Sequence, residues 1–328
     1  MFRPSLILFF TLVLTLLNAA THGLAATQTP AIIDLSAINA KIDPCDDFYH
    51  YACGSWIDGF NLPGDKSAYY RQFSGLEDQA NEALNEILKS YAKGDFTVKA
   101  KYAQKLGDLY TSCMDETAID KASAPILKDL FKKVDAAKTP EKFAETLAEL
   151  HLMGVGALFN FYSSSDLNDS SKVIGYADQG GMGLPDQSYY VKTDKKSKDL
   201  LTQYERHIAR TLHLLGQSKM HARANAKFIL GFETELAKSA MVLADRMDSS
   251  KTNHPSDRAG LANAVSNIKW DTYFKALGAA SVEAINLSDP TFLGDLNKLL
   301  AKTPAGKIRL YLKWQIVRGF ATEISKAP

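Results

Sequence analysis

The chain has 328 residues, 46% hydrophobic and 23% charged, with a formal net charge of +1. That composition is globular, and the length suits one large or two modest domains with a substantial core. With charge so nearly balanced and no polybasic block, the sequence lacks the signature of a nucleic-acid or anionic-lipid surface.

The first twenty-five residues differ in kind from the rest. Arg3 is their only charge, Leu6–Leu17 is an apolar run interrupted only by Thr, and Gly23-Leu24-Ala25 offers a small-residue cleavage site before Ala26. This is the form of a secretory signal peptide. A membrane span needs about 20 apolar residues, so no span is expected once the signal is cleaved. The expected location is exported, periplasmic or extracellular, and the mature chain, without Arg3, is neutral. Residues 26–42 read as a polar, small-residue leader. Export places Cys45, Cys53 and Cys113 in an oxidising compartment, where an odd count means a free thiol or a partner elsewhere. Cys45 and Cys53, read as one helical segment, would stand about 12 Å apart along the axis, beyond disulfide reach.

Asp43-Pro44 reads as a helix start, with Asp at the N-cap and Pro at the first helical position. Asp46 and Asp47 then fall in the first turn, where carboxylates suit the positive helix end better than acid–base work. Phe48, Tyr49, Tyr51 and Trp56 crowd the following segment, an aromatic density that calls for a large packing partner. Helical periods follow: Leu76, Ala80, Ala83, Leu84, Ile87 and Leu88; then Tyr102, Leu106, Leu109, Tyr110 and Cys113; then a start at Thr139-Pro140. Further stripes run from Leu201 to a cap at Gly216, over 218–243, over 292–300 and over 308–324. Between them, 157–162 and 172–177 read as two strands around a polar turn, followed by a glycine corner, Gly180-Gly181-Met182-Gly183-Leu184-Pro185. The expected fold is mainly α, a multi-helix bundle with one small β-hairpin.

The residues that carry hydrolytic chemistry are not visible. Beyond residue 25 the histidines are His50, His151, His207, His213, His221 and His254; none forms H-E-x-x-H or an i, i+4 pair. Cys45, His50, Cys53 and Cys113 match no zinc-finger spacing. There is no G-x-S-x-G elbow, and the glycine corner lacks the Lys-Ser/Thr ending of a phosphate loop. No catalytic residue and no metal ligand is therefore assigned within this chain.

The run Asp43-Pro44-Cys45-Asp46-Asp47-Phe48-Tyr49-His50-Tyr51-Ala52-Cys53-Gly54-Ser55-Trp56 closely resembles the opening motif of the neprilysin and endothelin-converting enzyme family of zinc metallopeptidases. Other landmarks follow in family order. Leu109–Asp115 is similar to its Y-x-S-C helix. Gly181–Tyr190, including Gly183, Leu184, Pro185, Tyr189 and Tyr190, is similar to its G-L-P…Y-Y turn. Tyr311-Leu312-Lys313-Trp314 is similar to its Y-L-x-W helix. The resemblance covers about residues 40–328.

It implies two largely helical lobes around a cavity, one binding zinc and the other covering it. It places H-E-x-x-H, the downstream E-x-x-x-D and the substrate-gripping Asn-Ala-aromatic segment beyond residue 328. On this reading the chain is the N-terminal portion of a secreted zinc metalloendopeptidase, inactive alone. Its partners are the catalytic lobe it lacks and, in the whole enzyme, peptide substrates. This chain would bind no cofactor, zinc being held in the full enzyme, and Cys45, Cys53 and Cys113 would each pair with a cysteine of the missing part. Residues 43–75 would form a strap packed on the catalytic lobe, and 76–328 the helical domain. In one place the sequence departs from the family: where members often carry Arg-aromatic-Gly-x-Phe-Asp, with the Arg touching substrate, this chain has Tyr69 in the Arg position and Ser74 in the Asp position. Substrate contact would then fall to Tyr69 or Arg71. The alternative is a self-sufficient, non-catalytic peptide-binding or scaffold protein.

Overall fold

A computed structural model describes residues 34–64, 66 and 68–323, and the chain divides into two compact units, 1–86 and 87–328. The signal-peptide reading and residues 26–33 of the leader fall outside the described residues.

In the first unit, a single 3-10 turn at Leu35–Ala37 is capped by Asp34, whose side chain accepts from Ser36 N. Helix α1 spans Phe48–Gly59. It starts four residues later than Asp43-Pro44 predicts. Asp43 instead closes a turn: its carboxylate accepts from Cys45 N at 2.8 Å, and its carbonyl accepts from Asp46 N and Asp47 N. Asp47 is the true N-cap, its side chain accepting from His50 N at 3.0 Å. The segment before α1 folds back on it. Asn39 N donates to Tyr51 O, Ser55 Oγ donates to Ile38 O, and Gly54 leaves room for the Asn39 side chain. Helix α2, Arg71–Ala92, runs through the expected 75/76 boundary and past the division between units at Glu86. The apolar stripe predicted for it exists but is only partly covered: Leu76 and Leu84 are 65% and 55% exposed, while Ile87 and Leu88 are half-buried; Phe73, outside that stripe, is 76% exposed.

In the second unit, α3 (Ala103–Met114) crosses the end of α2 so tightly that a methyl on Gly107 would lie 2.6 Å from the Tyr91 carbonyl. Asp115 ends α3 and caps α4 (Glu116–Ala136) by accepting from Ala118 N. Thr139 caps α5 (Pro140–Leu152) with Pro140 in the first turn, as the sequence predicts. Strands β1 (Phe159–Ser165) and β2 (Val173–Gln179) pair antiparallel from Phe159↔Gln179 to Ser165↔Val173. The short helix α6 (Ser188–Val191) follows the glycine corner. Helices α7 (Lys195–Leu214) and α8 (Lys219–Ser239) form a hairpin. Its turn is made by Gly216 at φ +92, with Gln217 N bonding back to Leu212 O.

Two one-turn helices, α9 (Leu243–Arg246) and α10 (Ser249–Thr252), lead to β3 (Pro255–Asp257). Then come α11 (Arg258–Ala264), α12 (Trp270–Ala276), β4 (Ala284–Leu287), α13 (Pro290–Lys302) and α14 (Ala305–Gly319). The fold is mainly α, as expected, but the hairpin belongs to a larger sheet. Its order is β1-β2-β4-β3, with β4 parallel to β2 and antiparallel to β3. Strands of three and four residues leave no alternating pattern to read in a sequence. What fixes β4 is tertiary: Ile285 is fully buried, and the Asn286 side chain accepts from His254 N and donates to Thr252 O.

The core of this unit is aromatic. Phe159, Tyr273, Phe274, Trp270 and Tyr311 pack with Leu147, Phe232, Phe292 and Leu293. A second cluster, Ile208, Leu212, Ala222, Ala226, Ile229 and Trp314, lies beneath the α7–α8 hairpin. His151, half-buried, packs against the main core, edge-on to Phe159 at 4.9 Å. Its Nε2 faces the Ala157 carbonyl at 2.9 Å and its Nδ1 faces the Tyr273 hydroxyl at 2.6 Å. A carbonyl only accepts, so Nε2 carries the proton and Nδ1 accepts from the tyrosine. Burial pushes this imidazole down from 6.5 to about 4.

Because the folded-state value is the lower one, the unfolded chain takes up a proton first as pH falls, and stability is lost from pH 6.5 downward to about 4. The shift corresponds to about 3 kcal/mol. Urea midpoints of the wild type and His151→Gln at pH 7 and pH 4.5 check this. The variant should lose less stability between the two pH values, and equal losses would show that His151 is not the acid-sensitive group.

Candidate functional site

Two of the motifs singled out in the sequence, one through Gly183 and Tyr190 and the other through Trp314, meet at one buried carboxylate. Glu233 lies on α8 among Ile229, Phe232, Leu236 and Ala237, with no exposed surface. Its Oε2 accepts from Tyr190 OH at 2.8 Å, Tyr204 OH at 3.0 Å and Gly183 N at 3.2 Å. Its Oε1 accepts from Trp314 Nε1 at 3.1 Å and Gln315 Nε2 at 3.2 Å. The Tyr190 hydroxyl also accepts from Gly183 N and Leu184 N, at 2.9 and 2.8 Å. The carboxylate thus ties the glycine corner to α6, α7, α8 and α14. Burial raises its pKa, and the surrounding donors oppose that rise. Its lone pairs are spent on donors, so its chemistry is cohesion and it is not available as a base.

The corner itself is shaped by a second tyrosine. Tyr311 OH donates to Gly181 O at 2.7 Å and accepts from Leu158 N at 3.1 Å. Gly181 has φ +78, and a methyl there would lie 2.5 Å from that hydroxyl, so glycine is required. Leu158 has φ +68 and is fully buried, a costly conformation for leucine that the Tyr311 bond helps hold. This is why β1 begins at Phe159 and not at Ala157. A methyl on Gly183 would collide with the Tyr204 hydroxyl. Of the remaining turn residues, Pro185 is exposed and Leu184 and Tyr189 are half-buried. A polar cavity of about 320 Å³ opens beside the corner, lined by Asn160, Gln179, Asp186, Arg246 and Arg318 among others. Both guanidinium groups have acceptors within the fold: Arg246 donates to Asp178 at 2.9 Å and Arg318 to Gln315 at 2.9 Å.

The N-terminal candidates occupy the first unit. Tyr69 packs on Phe60, centroids 4.5 Å apart, and its hydroxyl donates to Asp78 at 3.1 Å. Arg71 pairs with Asp34 and lies over the Trp56 ring at 5.7 Å. Both are engaged within their own unit. Phe48 and Tyr49 are 69% and 63% exposed, while Tyr51 and Trp56 are half-buried. Cys45 and Cys113 are exposed free thiols, and Cys53 is a half-buried one. Cys45 stands in the turn before α1, so the expectation that it shares a helix with Cys53 is corrected.

Among the described residues, no group of three or more His, Cys, Asp or Glu side chains is arranged to hold a metal. Several imidazoles already have protein partners. His50 Nδ1 is 2.6 Å from Asp47, His213 Nδ1 is 2.7 Å from Gln217 O, and His254 Nδ1 is 3.0 Å from Leu287 O.

The sequence profile of peptidase family M13 matches residues 44–328. The chain belongs to peptidase family M13. It is similar to neprilysin-3 of Drosophila melanogaster, 28% identical over a 313-residue alignment that covers 89% of this chain and 39% of that protein. It is also similar to an endothelin-converting enzyme homolog of Locusta migratoria, 30% identical over 91% of this chain and 43% of that one. Among solved structures, an inhibitor complex of the Mycobacterium tuberculosis zinc metalloprotease Zmp1 superposes with a TM-score of 0.80 at 28% identity. That match covers 90% of this chain and 45% of the other. The M13 chain described here therefore spans about two-fifths of the length of the curated relatives it matches.

Glu233 is the residue that reading the sequence missed. Its position between Ile229 and Leu236, on the buried face of a helix, is the signal that could have found it. Glu233→Ala should leave several buried donors unpaired and cost about 3–5 kcal/mol. Glu233→Gln should cost less, keeping one acceptor. Urea denaturation checks both; an alanine variant within about 1 kcal/mol of wild type would show that the hub is not cohesive.

Proposed function

We propose that this chain is the N-terminal portion of an exported, neprilysin-like zinc metalloendopeptidase, and that it does not hydrolyse peptides by itself. The observation that carries this reading is the M13 match over residues 44–328 in a chain spanning only 39–43% of its relatives. In the whole enzyme, zinc and the hydrolytic groups would belong to the remaining portion. The role of this chain would be to cover that portion and to anchor the N-terminal strap, residues 43–75, on it. Cys45, Cys53 and Cys113 would be tether points to the same partner. Export is proposed from the N-terminal sequence; among the described residues no helix is long and apolar enough to cross a membrane.

Uncovered apolar surface supports the existence of a partner. In the first unit, Phe48, Tyr49, Phe73 and Leu76 are each more than 60% exposed; in the second, Leu109 and Met114 are 59% and 60% exposed. Monomeric soluble proteins rarely leave large contiguous apolar patches in water.

Two measurements bear on this. Elemental analysis of the purified chain with a fluorogenic peptide assay should find no stoichiometric zinc and no cleavage. One tightly held zinc per chain, with chelator-sensitive activity, would overturn the proposal. Hydrogen exchange should show amides of Phe48–Gly59 exchanging much faster than those of Lys219–Ser239. Equal protection would mean that the strap is already packed and needs no partner.

A further inference from the structure

Every residue in the α7–α8 cleft comes from two helices that the sequence shows only as amphipathic. On α7, Arg206, Arg210 and His213 recur at i, i+4 and i+7 and so share one face; on α8, Lys219 and Arg223 do the same at i and i+4. The four-residue turn at 215–218 sets the helices antiparallel, side by side. Between them lies a cleft of about 520 Å³ with small residues, Ala209 and Ala222, in its lining. Its walls carry Arg206, Arg210, Lys219 and Arg223 against one carboxylate, Glu205, a local balance of four positive charges to one negative. All four cations are exposed.

What marks this cleft is the grouping of cations without carboxylate partners on one surface. Several other cations of the same unit sit on carboxylates: Lys133 on Glu149, Arg246 on Asp178, Arg258 on Asp271, Lys298 on Asp295 and Lys313 on Asp135. Among the described residues, Arg206, Arg210, Lys219 and Arg223 make no ion pair within 4.0 Å. The field is felt nearby: His207 is held below its ordinary value, first by burial and then by the charge of Arg210. Three of the four cations are arginines, whose planar fork of donors matches phosphate oxygens two at a time. The first turn of α8, capped at Ser218, adds the positive end of a 21-residue helix beside Lys219.

We propose that the α7–α8 cleft is a binding site for a phosphate group, held by Arg206, Arg210 and Arg223 with Lys219 at its mouth. It is separate from the Glu233 hub and independent of any peptidase role. The phosphate could be supplied by a soluble phosphorylated compound or by an anionic lipid headgroup, and the experiment distinguishes the two.

The purified chain is titrated with inorganic pyrophosphate by calorimetry, and separately sedimented with vesicles of phosphatidylglycerol plus phosphatidylcholine or of phosphatidylcholine alone. Saturable pyrophosphate binding that weakens with salt is expected. Arg210→Gln/Arg223→Gln should weaken it roughly tenfold or more. The control pair Lys196→Gln/Lys275→Gln removes the same net charge from other exposed positions and should leave binding unchanged. Circular dichroism and urea midpoints confirm that each variant is folded; the single variant Arg206→Gln serves if the double variant is not.

Binding to pyrophosphate, with vesicles ignored, assigns a soluble ligand. Binding to phosphatidylglycerol vesicles that pyrophosphate displaces, and that the arginine variant loses, assigns a headgroup. No binding to either, or equal weakening by the control pair, overturns the proposal.

Discussion

A carboxylate sealed away from water is the constraint around which the second unit is organised. Buried Glu233 is tolerable only while tyrosine, tryptophan, glutamine and backbone donors surround it, because a buried polar group without hydrogen-bond partners costs several kcal/mol. The donors come from the glycine corner and α6, from α7 and from α14, so meeting the needs of one side chain fixes four segments. Hydrophobic burial supplies most of the driving force, but it is non-directional. The hub supplies direction. It admits one placement of the corner, and Tyr311 extends the same logic to Leu158 and Gly181.

The first unit is built on a different balance. Its contacts are local: a turn closed by Asp43, a cap by Asp47, a stack of Trp56, Phe60 and Tyr69, and ion pairs from Lys66 to Asp78 and from Arg71 to Asp34. Such pairs, lying at the surface, add little to stability, while much apolar side-chain area stays in water. Membership of family M13 gives that exposure a meaning, since the relatives carry more than half of their length beyond what this chain matches.

Much of this was legible in the sequence. The amphipathic periods located α5, α7, α8, α13 and α14, and cap residues such as Thr139 and Ser218 act as their types predict. The hairpin and the glycine corner were legible through their turn residues. The start of α1 was misread because Asp43-Pro44 and Asp47 offer competing caps, and only the backbone path decides between them. Strands β3 and β4 were invisible because their partners are remote and their lengths too short for a period. The hub was half legible: Gly183, Tyr190 and Trp314 were picked out as motif residues, yet nothing in a linear reading says that all three address Glu233. The α7–α8 cleft was hidden for a related reason. Its arginines lie four and thirteen positions apart, so no basic block forms along the chain even though one forms in space.

The long reach of Tyr311 has a consequence for how this polypeptide acquires its structure. The bond from Leu158 N to the Tyr311 hydroxyl spans 153 positions. A chain that emerges N-terminus first during synthesis delivers the corner and its strands well before the helix that secures them. Until α14 emerges, Glu233 lacks its indole and amide donors and Leu158 lacks the bond that offsets its unfavourable dihedral. Native order in the second unit is thus withheld until nearly the last described residues have appeared. Contacts so distant in sequence also make closure slow. Helix α14 acts as a latch, and the corner cannot be fully secured until it is in place.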